Sequence, residues 1–101
     1  MAVTPLALFR GAATTTTTTT LYTVPSSTTT VVTNIVVTNT ASTSATFTLT
    51  LDAIDIHKTS VLAPLETVYI DLKQVLSTTK IIKGGASATT VNFNISGVEI
   101  T

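Results

Sequence analysis

The chain is expected to be an all-β protein, a two-sheet antiparallel β-sandwich, and three observations carry that expectation. Threonine occupies 26 of the 101 positions and, with valine and isoleucine, tilts the composition toward side chains that are stiff at χ1 and fit a pleated surface. Several short segments alternate apolar and polar residues with period two, and turn signals separate them. One-sided sheets of this kind must bury their apolar faces against each other, and six or seven strands in 101 residues suit one packed pair. Immunoglobulin-like and jelly-roll topologies both remain open, although the Cys…Trp…Cys pattern of antibody domains is absent.

Taken in order, "MAVTPLALFRG" is apolar enough to lie against protein and ends at Gly11. The low-complexity run "AATTTTTTT" follows. It reads either as a solvated linker or, in its second half, as extended structure, so that Thr16 to Val24 becomes the return strand of a hairpin begun near Leu6. Residues 1–17 are therefore set apart as an N-terminal arm or first hairpin strand, and residues 18–101 as the sandwich domain. Pro25, Ser26 and Ser27 form a turn.

Thr29 to Asn39 is almost continuously β-branched, which suits a strand buried on much of both faces or lying at a subunit contact. The clearest alternation comes next, with Phe47, Leu49, Leu51 and Ala53 set against Thr46, Thr48, Thr50 and Asp52. Asp55 to Pro64 reads as irregular, with room for a short helical turn. Leu65 to Leu72 is a strand with Val68 and Ile70 on one face, and Gln74 to Thr78 turns the chain into a short strand at "KIIK". Gly84-Gly85 is read as a hairpin reversal, where positive φ is free. Val91, Phe93 and Ile95 mark the last strand, with a bulge expected at Gly97.

Charge and chemistry exclude more than they suggest. Five basic and five acidic side chains leave no net field, so direct nucleic-acid binding is not expected. Without cysteine there are no disulfides, thiol nucleophiles or common structural zinc sites. No cationic region precedes the apolar residues near Met1 as a signal peptide requires, and no run is long enough to span a bilayer as a helix. Neither membrane integration nor a cleaved leader is expected, and synthesis in the cytoplasm fits.

The lone histidine, His57, lies near Asp55 and Ser60, but nothing resembles a nucleophile elbow, and it reads as an ordinary loop histidine. Asp52 and Asp55 would point to opposite faces of a straight strand, which argues against a metal site with His57. Lys73, Lys80 and Lys83 read as guards against edge pairing, with an acidic partner surface as the alternative. The glycosylation triplet at Asn94 reads as plain strand sequence. No catalytic, cofactor-binding or metal-binding residue is assigned, and no cofactor is expected. What remains is the surface: 10% of residues are charged, against roughly 25% in a typical soluble domain, and such a surface is expected to meet other protein.

The stretch "TLYTVPSSTTTVVTNIVVTNT", together with "ATFTLTL" and the later "SGVEIT", resembles small β-sandwich virion proteins of tailed bacteriophages. The likeness runs from about Thr18 to Thr101 and leaves the segment before Leu21 unmatched. It implies a non-enzymatic structural part, located in the virion and present as a homo-oligomer. The resemblance points first to a capsid decoration or cement protein docked on the major capsid protein. A neck, tail or baseplate component of the same fold is the alternative, and a receptor- or glycan-binding module the third reading.

Overall fold

The computed structural model describes residues 2–101 and bears out the expected architecture, two packed antiparallel sheets of four strands each. The strands are β1 (Val3–Ala12), β2 (Thr20–Thr23), β3 (Thr29–Asn39), β4 (Ala45–Leu51), β5 (Ile54–Leu62), β6 (Thr67–Leu76), β7 (Ile81–Ala86) and β8 (Val91–Ile100). The first sheet has the order β1-β8-β3-β6 and the second β2-β7-β4-β5. Consecutive strands repeatedly cross from one sheet to the other, and this interleaving of eight strands is the jelly roll. The topology left open by the sequence is thereby decided.

Core residues follow the alternation. Ala45, Phe47, Leu49 and Leu51 of β4 and Val91, Phe93 and Ile95 of β8 are all buried, and Phe47 meets Phe93 across the sandwich edge-on, with ring centroids 6.3 Å apart. On β3 the buried set begins at Thr30 and Val32 and resumes at Ile35, Val37 and Asn39. A bulge at Thr33 makes that change of phase: Val32 pairs with Gly97 and Asn34 with Ser96, leaving Thr33 out of the ladder with its hydroxyl donating to the Ser96 carbonyl at 3.2 Å. β1 carries a matching bulge at Leu8, between Ala7 and Phe9. The expected bulge at Gly97 is thus realised on both neighbours of β8 and not in β8 itself. A side chain at Gly97 would meet the Val31 carbonyl at 2.4 Å, so the glycine permits that close approach.

Three local expectations are corrected. Leu6 and the Thr16 to Val24 segment do not form a hairpin, because β1 pairs with β8 and β2 pairs with β7 in the other sheet. Ile54 to Leu62 is a strand, not irregular chain. Its alternation is hidden by two irregularities against β4, one of them at Thr59, whose φ is 50°. Gly84 and Gly85 do not reverse the chain but lie buried within β7, neither having positive φ, and the turn before them is made at Ser77 to Thr79 after a β6 that runs on to Leu76.

Asn39 is the principal buried polar anchor. Its side-chain amide donates to the carbonyls of Thr43 (2.8 Å) and Ala63 (3.2 Å), and its Oδ1 accepts from the Ala41 amide (3.1 Å), so one side chain ties two loops at that end of the sandwich.

Candidate interaction surface

Among the described residues the candidate side chains are not brought into one chemistry-bearing cluster. His57 turns inward opposite Leu49 and lies against Phe47, with ring centroids 5.1 Å apart, and its Nδ1 is 3.0 Å from Ser60 Oγ. Asp55 sits opposite Thr50 and accepts that residue's hydroxyl at 3.0 Å, so it does not orient the histidine. Among the described residues no group of three His, Cys, Asp or Glu side chains is placed to hold a metal ion. Asp52 is exposed in the β4–β5 turn and pairs with Lys80 at 3.5 Å. Lys80 and Lys83 line a shallow cleft with Asp52, Ala53, Thr79 and Ile81 on the second sheet, whereas Lys73 sits on the edge strand β6 of the first, 3.8 Å from Asp71. The three lysines therefore do not make one patch.

The outer face of the second sheet is largely satisfied by its own chain. Thr48 Oγ1 accepts the Thr59 amide at 3.0 Å, and Thr50 is bonded to Asp55. The threonine run folds back over the sheet instead of trailing away. The Thr19 carbonyl accepts from Gly84 N and the Thr14 carbonyl from Ala86 N, each at 2.9 Å, while Thr14 Oγ1 and Thr19 Oγ1 close the loop at 2.6 Å. Gly85 is the seat of this loop: a Cβ there would lie 2.3 Å from the Thr16 carbonyl oxygen.

The outer face of the first sheet has no such cover. Glu99 and Thr30 point into the sandwich, where the Tyr22 hydroxyl donates to Glu99 Oε2 at 2.5 Å and lies 2.8 Å from Thr30 Oγ1. Burial, reinforced by the Glu99 carboxylate, pushes the Tyr22 pKa up to about 12. Their neighbours along each strand must then face outward. Register places Pro5, Val98, Val31 and Val75 in one row across all four strands, with Val3, Ile100 and Thr29 in the row beside it. Val3 is 59% and Val75 67% exposed. Beyond the bulges the outward rows become polar: Arg10, Asn94, Val36 and Tyr69 lie in one, and Ala12, Asn92, Thr38 and Thr67 in another.

The central strands β8 and β3 present no charged side chain on this face, since β3 has none and the one on β8, Glu99, points inward. A charge-free centre with charges at its lateral edges is the anatomy of a protein interface. The sequence offered a signal for it that local reading passes over: the β8 alternation, continued unbroken past Gly97, puts Val98 and Ile100 on the same side as Asn92 and Asn94.

No family model matches the chain, and no curated protein matches it. Among solved structures it is similar to a crystal structure of a pentameric capsid protein isolated from metagenomic phage sequences, at 17% identity and a TM-score of 0.38. The match covers 96% of this chain, which spans 59% of the length of that one.

Proposed function

We propose that this protein is a non-enzymatic structural component of a bacteriophage virion, and specifically a capsid decoration or cement protein that docks on the shell and stabilises it. The observation that carries the reading is the outer face of the sheet β1-β8-β3-β6, whose central strands present no charge and whose charges stand only on the edge strands, a face with the character of a contact surface and no feature of a reaction site. The sequence resemblance to phage virion proteins supports the same reading. The jelly roll agrees by fold-level analogy, being an architecture that recurs in viral capsid domains, lectins and cupins.

Two competing uses of the fold fit less well. A cupin-like metal enzyme needs a ligand cluster that is lacking among the described residues. A glycan-binding module needs aromatic platforms at loop tips, whereas the one well-exposed aromatic side chain, Tyr69, lies within strand β6.

Quantitative mass spectrometry of purified particles tests the reading. Copies equal to the major shell protein, or a simple fraction of it, are expected for a decoration protein. A handful of copies per particle would move the protein to the neck, tail or baseplate, and absence from the particle would overturn the virion assignment.

A further inference from the structure

We infer that the outer face of the sheet β1-β8-β3-β6 pairs with the same face of a second copy of this chain, about a two-fold axis that lies in the interface and runs parallel to the strands. The pairing belongs to the chain free of the particle, since a face closed on a second copy cannot also meet a shell protein, and its test does not depend on the virion reading.

Symmetry and sheet packing restrict the stackings the face allows. Two sheets packed face to face keep their strands aligned within about 30°. An in-plane axis across the strands would lay the apolar rows of one copy on the polar rows of the other. An axis along the strands, between β8 and β3, keeps each row at its own level and exchanges left for right. Pro5 of one copy then lies over Val75 of the other and Val98 over Val31, so the apolar end of the face meets itself.

The same operation brings the lateral charges together. Arg10 and Tyr69 stand at opposite ends of one row, joined through Asn94 and Val36, so the axis sets Arg10 of one copy over Tyr69 of the other, and the pair occurs twice. Tyr69, 75% exposed, offers its ring to the guanidinium, and Asp71 lies one step further along the same side of β6 within reach of it. The outward side chains of the face include three that are charged, Arg10, Asp71 and Lys73, all on the two edge strands. No charge is therefore buried at the centre of the contact.

The area is adequate. Four strands about 4.8 Å apart and about ten residues long present roughly 600 Å² in projection. That approaches the roughly 800 Å² per partner of a standard stable interface. It predicts a dimer of moderate affinity.

The test is sedimentation equilibrium of the purified full chain at roughly tens of micromolar, with thermal unfolding to show that each variant folds. The wild type is expected at twice its 10.5 kDa mass. Val75→Lys changes an exposed side chain and is expected to raise the dissociation constant about tenfold or more by burying an unpaired ammonium in the apolar row. Arg10→Asp is expected to weaken the dimer too, and Arg10→Asp with Asp71→Arg to restore it. A wild type that stays monomeric, an assembly indifferent to Val75→Lys, or a double variant as weak as Arg10→Asp alone would each overturn the inference.

Discussion

On the sheet β1-β8-β3-β6, the two central strands present Val31, Val36, Thr38, Asn92, Asn94, Val98 and Ile100 to the outside, and among the described residues no loop is hydrogen-bonded over them. On the sheet β2-β7-β4-β5, the central strands present Lys83, Gly85, Thr46, Thr48 and Thr50. There a loop of threonines sits on Gly85, while Thr48 and Thr50 bond to β5. Threonine is abundant beside both faces, so composition does not separate them. What separates them is whether the hydroxyls and backbone groups already have partners. The second sheet has used its outer face to hold its own loop and edge strand, and the first has left a face whose central strands present no charge, open to contact.

The largest test of this contrast is Gly85→Ala. The new Cβ would collide with the Thr16 carbonyl, lift the threonine loop and cost about 3 kcal/mol. Urea unfolding should show that loss, while self-association through the other sheet should stay intact. Asn39→Ala comes next, at about 2 kcal/mol, because it strands the Thr43 and Ala63 carbonyls and the Ala41 amide. Thermal unfolding should register it without any change in the partner surface.

A third test uses pH at the apolar end of the sandwich, where Tyr22 joins the sheets through Glu99 and Thr30. The folded state holds the Tyr22 proton up to about pH 12, whereas the unfolded chain releases it near 10. The stability this confers is therefore complete below pH 10 and declines as pH rises from 10 toward 12. Denaturant titrations across that window should show a steeper decline for the wild type than for Tyr22→Phe. The smallest effect belongs to the β4–β5 turn, where Asp52 and Ala53 both have positive φ, 50° and 63°. Ala53→Gly should gain up to about 1 kcal/mol in thermal unfolding by relieving the left-handed strain.

Much of the fold was legible because β4 and β8 keep strict alternation, and their buried residues are the ones that alternation names, except that Ala53, expected on the apolar face, lies exposed in the turn after Leu51. The errors share a cause, which is that distant contacts decided what local sequence left open. Gly84-Gly85 has the composition of a turn, but glycine also serves where another backbone approaches, and the Thr16 carbonyl lies far off in sequence. The nearest extended segment to β1 in sequence is the threonine run leading into β2, while its partner β8 lies at the other end of the chain. β5 concealed itself because two irregularities break its period. The candidate surface was legible only as a scarcity of charge. Which valines form it depends on the bulges at Leu8 and Thr33, which bring the odd-numbered Val3, Pro5 and Val31 into the same outward rows as Val98 and Ile100.

The contrast between the two outer faces is tested most directly by a matched pair of lysine substitutions. Val75 on β6 and Val61 on β5 are both edge-strand valines, 67% and 71% exposed, one on each outer face. Sedimentation equilibrium of Val75→Lys and Val61→Lys should show weakened self-association for the first and wild-type behaviour for the second. Equal effects, or a larger one for Val61→Lys, would contradict the assignment of the interaction surface to the sheet β1-β8-β3-β6.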